Sequence, residues 1–190
     1  MEGESLAPLE VDLEVYGFKL TGTIPGVYPD GFLQYRYARV KPKDHLRLWI
    51  HHLVLNAVET ASYPRISRLA ALHPRSKQPF FWEYPALRDG KDILGDLLEK
   101  YWVGLVRPLY FFPESSWDYV QRLVMQNKSE EEALRSARHT WMGGDFSRGE
   151  SRDPYYQLCF ERTNPLGEEF QDLATKVLGP LLEHLRDIGT

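Results

Sequence analysis

The stretch FKLTGTIPGVYPDGFLQYRYAR, which runs from Phe18 to Arg39, decides the fold that this sequence predicts. Residues 18–25 and 32–39 are rich in aromatic and β-branched side chains, which favours two strands. Residues 26–31 contain two glycines, a proline and an aspartate, and this composition predicts a turn between the strands. The first strand should end at Pro25, because proline cannot donate a hydrogen bond to a neighbouring strand.

Another strand is predicted before this stretch, within residues 9–20. Acidic and apolar residues alternate there in the order Glu10, Val11, Asp12, Leu13, Glu14 and Val15. A period of two is typical of a half-buried strand with its acids on the solvated face. A metal site formed by these three acids is the weaker alternative, because acids spread along one strand usually face solvent.

An amphipathic helix should follow the stretch, starting near Asp44. Its apolar residues recur with the period of an α-helix: Leu46, Trp49, Ile50, Leu53, Val54 and Ala57. His45 and His52 lie seven residues apart on this helix and could share a face. With Asp44 they offer ligand types that suit a metal, but such histidines more often flank the apolar stripe of a helix.

The rest of the chain predicts one more pair of strands and then helices. Strands are expected over residues 66–72 and 79–84, around a polar turn at 74–78. One helix is expected over residues 91–106, a second begins after the capping residues 113–116, and a third begins after Ser129. A final helix is expected from residues 164–165 to 185, and Pro180 should kink or split it. A polar loop is expected over 143–154. The inward residues of the 91–106 helix should be Ile93, Leu94, Leu97, Leu98, Tyr101 and Trp102. This order predicts a mixed sheet flanked by helices, in the α/β to α+β class.

Composition limits the class of protein. The chain has 190 residues, of which 43% are hydrophobic and 13% aromatic, and this predicts one globular domain with a sizeable core. Cys159 is the only cysteine, which excludes a disulfide framework, a cysteine-based zinc site and a four-cysteine iron–sulfur cluster. The first nine residues have no apolar run, and no segment reaches about 18 consecutive apolar residues. We therefore expect a cytoplasmic chain without a membrane segment.

Basic residues concentrate between the 32–39 strand and the first helical turns. The run contains Arg36, Arg39, Lys41, Lys43 and Arg47, is diluted only by Asp44, and is interleaved with Tyr35 and Tyr37. Cations beside aromatic rings suit phosphates and stacked bases, so these five basic residues are candidates for DNA contact. Because the net charge is −4, any nucleic-acid contact must come from such a local patch. The alternative is a solvated strand end and helical turn, where long side chains cover apolar surface.

The sequence lacks the common nucleotide-binding, metalloprotease and serine-hydrolase motifs, but five of its segments are similar to one known family. These segments are LTGTIPGVYPDGFLQYR (20–36), KDHLRLWIHHL (43–53), RPLYFFPESSW (107–117), DPYY (153–156) and LGPLL (178–182). In the same order, they resemble the C-terminal domain of the exodeoxyribonuclease V gamma subunit, RecC.

The resemblance implies a fold, partners and a function. Residues 1–190 would be a single domain, a C-terminal fragment of a much longer subunit, with a restriction-endonuclease-like fold that does not cut DNA. It would serve RecB-like and RecD-like subunits as a scaffold in a helicase–nuclease complex for recombinational DNA repair, and it would guide a DNA strand. ATP and magnesium would be used by the partner subunits, and this domain would hold no cofactor or metal.

The resemblance also implies a site that has lost its chemistry. The active nucleases of this fold carry Gly-x-Ile-Asp on one strand and Asp-Tyr-Lys on the next, which correspond here to Gly22-Thr-Ile-Pro25 and Gln34-Tyr-Arg36. Magnesium needs charged oxygen ligands, which a proline and an amide cannot supply, and arginine is a poor substitute for a lysine that positions water. Pro25, Gln34 and Arg36 are therefore predicted to be degenerate positions without metal-dependent hydrolysis.

Two other functions stay open at this point. One is an active magnesium-dependent nuclease whose acids lie elsewhere, at Asp30 in the turn or on the acidic face of residues 10, 12 and 14. The other is a free-standing binding protein.

Overall fold

The strands and helices follow one another in an order that brings five strands into one sheet. The computed structural model describes residues 3–60, 62–73, 75–144 and 147–189. Its strands are β1 (Leu9–Val15), β2 (Phe18–Ile24), β3 (Val27–Tyr28), β4 (Gly31–Arg39), β5 (Ser67–Leu72), β6 (Pro79–Tyr84), β7 (Gly143–Gly144), β8 (Ser147–Arg148) and β9 (Arg186–Gly189). Its helices are α1 (Pro42–Ala57), α2 (Gly90–Gly104), α3 (Pro113–Val124), α4 (Glu130–Met142), α5 (Pro154–Phe160) and α6 (Glu168–His184).

The five-stranded sheet has the order β3-β4-β5-β6-β9 and is mixed. β4 and β5 pair in parallel, and α1 is the crossover that parallel strands require. The pairs β3–β4, β5–β6 and β6–β9 are antiparallel. The prediction of a mixed sheet with helices, in the α/β to α+β class, is confirmed. Within the predicted 26–31 turn, Val27 and Tyr28 form β3 and pair with the start of β4.

β1 and β2 form a separate antiparallel hairpin. Tyr16 and Gly17 connect the strands with φ values of 50° and 80°, the positive values that a two-residue hairpin turn requires. Val15 is fully buried, and the three acids of β1 lie on the exposed face. The predicted alternation is therefore confirmed, although β1 ends at the turn.

The chain divides into two compact units. Unit 1 consists of the described residues up to Tyr101 together with those from His184 onward, and unit 2 runs from Trp102 to Glu183. Unit 1 contains the hairpin, the five-stranded sheet and α1. In unit 2, the buried ring of Phe112 lies 4.4 Å from that of Trp141 and 5.2 Å from that of Phe160, between ring centroids. One domain over residues 1–190 stays a prediction.

The buried face of α1 differs from the predicted stripe. Trp49, Leu53 and Ala57 are buried as predicted, but Ile50 is 46% exposed. The other buried residues of α1 are Pro42, His45, Leu48, His52, Leu55 and Asn56. The expectation that the histidines only flank this face was therefore wrong. Polar groups of β5, β6 and the following loop hold them by hydrogen bonds, and the period of apolar residues cannot reveal such partners.

The face of α2 also differs from the predicted one. Of the six residues expected to point inward, Leu94 is buried, and Tyr101 and Trp102 are 62% and 59% exposed. The other three, Ile93, Leu97 and Leu98, are partly buried. Periodicity shows which side chains share a face but not whether another element covers all of that face, so the expectation was wrong for Tyr101 and Trp102. α2 ends at Gly104, two residues before its predicted end.

The C-terminal elements bear on two features of the prediction. β9 was not predicted, because Ile188 is its one large apolar residue, yet it pairs with β6. Pro180 lies inside α6 and does not split it, since the helix continues to His184, and the alternative of a kink at Pro180 stays a prediction. Burial of Leu178 and Leu181 offsets the hydrogen bond that a proline removes from a helix.

Two predicted loops extend beyond the described residues. The 143–154 loop contains β7, β8 and a 3₁₀ turn at Glu150–Arg152, and its residues 145 and 146 lie outside the description. Pro74 of the predicted 74–78 turn lies outside it as well. Among the described helices, none has the length and apolar character needed to cross a bilayer.

Candidate nucleic-acid interface

β4 carries two tyrosines and an arginine on an exposed face. Tyr35 and Tyr37 are 80% and 95% exposed, and Arg39, two residues further along, is exposed as well. Alternate residues of a strand point to the same side, so these three side chains line one face. Two exposed rings beside a guanidinium can stack on flat ligands and neutralise a phosphate.

The other basic residues continue from β4 into the first turns of α1. Lys41, Lys43 and Arg47 are all exposed. Lys43 and Arg47 are four residues apart in the helix and therefore lie on the same side of it. With Arg39, four of the five predicted DNA-contact residues present their charge to solvent, and Arg36 is the exception.

Arg36 is engaged within unit 1. Its Nη1 donates a hydrogen bond to Oδ1 of Asp44 at 2.7 Å, and the two side chains are 34% and 13% exposed. The second carboxylate oxygen of Asp44 accepts a hydrogen bond from the N–H of Lys41 at 2.8 Å, which satisfies an open donor at the start of α1. Arg36 therefore connects β4 to α1, and a carboxylate already compensates its charge.

The three predicted degenerate positions lie along β4 and the segment beside it. The N–H of Leu33 donates to the carbonyl oxygen of Gly26 at 3.3 Å, so the chain just after Pro25 runs beside β4 one residue before Gln34. The side-chain oxygen Oε1 of Gln34 is buried and has no hydrogen-bond partner among the described residues. Pro25 and Gln34 offer no carboxylate for a cation, and Arg36 adds a cation of its own.

The acids that would serve an active nuclease are paired or exposed. Asp30 lies in the β3–β4 turn, where its Oδ2 is 3.3 Å from Nη1 of Arg68, and Nε of Arg68 donates to Glu83 at 2.9 Å. Asp12 on β1 forms an ion pair with Lys19 of the neighbouring strand. Within the part of the chain that the structure describes, no three His, Cys, Asp or Glu side chains are grouped so as to hold a metal ion.

A buried polar cluster between α1 and the sheet was not apparent from the sequence. Nδ1 of His45 lies 3.1 Å from the Tyr84 hydroxyl, and Nδ1 of His52 lies 2.9 Å from Oγ of Ser67. The Trp49 ring is 5.5 Å from that of His52 and 5.2 Å from that of Tyr84, between centroids. These five residues, all buried, are called the α1 cluster below. Spacing along α1 did suggest a shared face, but the partners come from β5 and β6.

Burial sets the protonation state of the α1 cluster. Desolvation lowers the pKa of His45 to about 3, against a smaller opposing effect of the Asp44 charge, and lowers the pKa of His52 to about 4. Burial also raises the pKa of Tyr84 well above its usual value. Both imidazoles are therefore neutral near pH 7. The two imidazoles contact hydroxyl groups, whereas Asp44 contacts Arg36. His45, His52 and Asp44 therefore do not form the metal site considered from the sequence.

Comparison with known families decides the class of this chain. The profile of the RecC C-terminal domain matches residues 1–124. The chain belongs to the RecC C-terminal domain family. This confirms the resemblance, and three of the five sequence segments, 20–36, 43–53 and 107–117, lie within the matched residues. The matched residues extend from β1 through α3, and so include the exposed face of β4, the basic run and the α1 cluster.

Individual relatives extend the similarity to more of the chain. The RecBCD enzyme subunit RecC of Escherichia coli (strain K12) is 28% identical over 167 residues, which are 83% of this chain and 14% of that protein. The protein of the same name from Buchnera aphidicola subsp. Schizaphis graminum (strain Sg) is 22% identical over 181 residues, 91% of this chain and 16% of the relative. The chain thus spans about a seventh of the length of these relatives.

Proposed function

We propose that this chain is a non-catalytic, nuclease-like module of a cytoplasmic RecC-type subunit. It acts in a RecBCD-type exodeoxyribonuclease V complex as a scaffold for RecB-like and RecD-like subunits, and it guides a DNA strand during recombinational repair. The partner subunits use ATP and magnesium. Membership of the RecC C-terminal domain family carries this proposal, and the name of the relatives, RecBCD enzyme subunit RecC, supports the assignment to such a complex.

The chemistry of β4 supports the absence of catalysis. A magnesium ion needs several charged or strongly polar oxygen ligands, and Pro25 and Gln34 supply no carboxylate. Asp44, an acid of α1 that reaches β4, is already bound by the guanidinium of Arg36 at 2.7 Å. A metal ion at this place would have to displace a cation that is covalently part of the chain.

Metal-dependent cleavage tests the non-catalytic assignment. The 190-residue chain is incubated with linear duplex and with single-stranded DNA over titrations of Mg²⁺ and Mn²⁺, and we expect no cleavage by the chain. Cleavage that disappears in Asp30→Ala or in Asp44→Asn would overturn the assignment. A contaminating nuclease would be unaffected by either substitution, so the two sources of cleavage are distinguishable.

Exposed cations support the contact with DNA. Arg39, Lys41, Lys43 and Arg47 follow one another from the end of β4 into α1, and all are exposed. A phosphate backbone attracts such a local run even when the whole chain is acidic, because screening limits the reach of distant charges to about 10 Å at 0.1 M salt. The two exposed tyrosines of β4 add surfaces on which bases can stack.

Charge reversal tests the DNA contact in the assembled complex. The variant Arg39→Glu/Lys41→Glu/Lys43→Glu should bind DNA more weakly, and its salt slope should fall by about one for each lost phosphate contact. The matched control reverses three exposed cations elsewhere, Lys91, Arg138 and Arg162, and so changes the formal charge equally.

Two readouts separate DNA contact from assembly. We expect subunit association, measured by gel filtration, to be the same for both variants, because all six reversed side chains are exposed in this chain. DNA affinity and salt slope should change only in the first variant. Unchanged affinity and slope in that variant, or equal losses in both, would remove the DNA contact from the proposal.

A further inference from the structure

A groove crosses the exposed face of the five-stranded sheet beside the two tyrosines. β4 and β5 are in register up to the pair Tyr35 and Ala70, and the next aligned pair is Arg39 and Leu72. β4 therefore has three residues where β5 has one, and its pairing is interrupted there. Extra residues of this kind bend a strand away from its neighbour and leave the ladder open. The groove lies at this interruption.

The walls of the groove are almost entirely apolar. They include Tyr35 and Tyr37 of β4, Ala70 and Leu72 of β5, and Pro79 and Phe81 of β6. Arg36, whose guanidinium is paired with Asp44, lines the groove as well. Its volume is about 170 Å³. That volume leaves room for a single planar ring. Water in an apolar groove is readily displaced by a flat apolar ligand.

Positive charge lies at one end of the groove. Arg39 follows Tyr37 by two residues on the same face of β4, about 7 Å along the strand, and Lys41 comes two residues later. A ligand with a flat ring and an adjacent anionic group would therefore meet both features at once. A nucleotide of a single strand has this chemistry. An apolar protein side chain would fill the groove but would make no use of the cations.

We infer that this groove receives one unstacked base of a single-stranded nucleic acid, with the neighbouring phosphates on Arg39 and Lys41. The inference rests on the proposed DNA contact and specifies its ligand as a single strand. In a duplex the bases are paired and stacked, and their rings cannot enter the groove. The cations alone bind the backbone of either form, whereas the tyrosines add affinity for a strand whose bases are free.

Oligonucleotides with and without bases test the inference on the 190-residue chain. Labelled dT12 and a 12-mer of abasic sites carry the same phosphates, and fluorescence anisotropy gives their affinities. We expect dT12 to bind about tenfold more tightly than the abasic strand, as base–aromatic stacking provides. Tyr37→Ala should abolish most of this difference and leave the affinity for the abasic strand unchanged. Tyr37→Phe keeps the ring and should retain the preference.

A matched control and the charge-reversal variant distinguish the base site in the groove from the contact of the basic residues with DNA. Tyr155→Ala removes a tyrosine of α5 that is 77% exposed and should change neither affinity. Equal binding of the two strands, weakened by the charge reversal at residues 39, 41 and 43, would overturn the base site and leave the DNA contact standing. A preference for dT12 that Tyr37→Ala does not reduce would also overturn it. Absence of binding to both strands would overturn the DNA contact together with the base site.

Discussion

Acidification should destabilise unit 1 through the two buried histidines of α1. His45 and His52 are 3% and 0% exposed, and desolvation lowers the pKa of their rings to about 3 and about 4, from an ordinary 6.5. Well above pH 6.5 both rings are neutral in the folded and the unfolded chain, so they add no pH dependence. Below pH 6.5 the unfolded chain takes up protons that the folded chain cannot hold, so the free energy of unfolding falls with pH.

The decrease in the free energy of unfolding at pH 5.5 depends little on the pKa values of the two histidines in the folded chain, because both values lie well below pH 5.5. One unit below the unfolded pKa, each histidine lowers the free energy of unfolding by about 1.4 kcal/mol. Together they remove about 3 kcal/mol, a large fraction of a typical stability of about 5–15 kcal/mol. The loss should continue to grow until about pH 4 for His52 and about pH 3 for His45, where the folded rings take up protons.

Urea unfolding at pH 7.5, 6.5 and 5.5 measures this loss, with unit 1 followed through the hydrogen exchange of α1 peptides. His45→Gln and His52→Gln each remove one titrating ring, so each should halve the pH-dependent loss to about 1.4 kcal/mol, whatever its stability at pH 7.5. His139→Gln changes an exposed histidine of α4 in unit 2 and should keep the wild-type pH dependence. Equal pH dependence in all four proteins would refute the assignment of the loss to these two rings.

Two further predictions concern single polar side chains. Glu150→Gln should lower the free energy of unfolding by about 1 kcal/mol, because the Glu150 carboxylate accepts hydrogen bonds from the N–H and the hydroxyl of Ser115, at 2.8 and 2.6 Å, at the start of α3. A thermal melt measures this loss. A loss no larger than that of the exposed control Glu131→Gln would contradict the prediction. Asn56→Ala should lower the free energy of unfolding in urea by about 1–3 kcal/mol, because the buried N–H of Leu87, after β6, loses the side-chain oxygen of Asn56 that accepts its hydrogen bond at 2.9 Å. A loss equal to that of the exposed control Asn164→Ala would show that this hydrogen bond contributes nothing.

The local features of the fold were predictable from the sequence, and the features that depend on distant partners were not. The bounds of β6 agree with the predicted 79–84, because an aromatic run between a turn and a proline is visible in the sequence itself. β9 pairs with β6 through its backbone, and its side chains carry no strand signal. His45 and His52 are buried because Tyr84 and Ser67, 39 and 15 residues away, supply their hydrogen bonds.

The candidate site shows the same division. The density of basic residues and the interleaved tyrosines are properties of the local sequence, so their position near the end of β4 was predictable. Exposure was not, since Arg36 and Arg39 look equivalent in the sequence. Only the fold brings Asp44 to within 2.7 Å of Arg36 and leaves Arg39 exposed. A run of like charges therefore locates a candidate interface but does not say which of its members can bind a ligand.

The two faces of β4 have separate roles that follow from these contacts. On one face, Arg36 connects the strand to α1 through Asp44, so the start of α1 is fixed without a metal ion. On the other face, Tyr37 and Arg39 remain open to solvent. Arg36 also lines the groove, but its guanidinium is held by Asp44, so we expect a substitution at Tyr37 to leave the Arg36–Asp44 contact intact. The binding surface can thus be changed without loss of the fold, and this is why loss of ligand binding in Tyr37→Ala would report on the groove and not on the stability of unit 1.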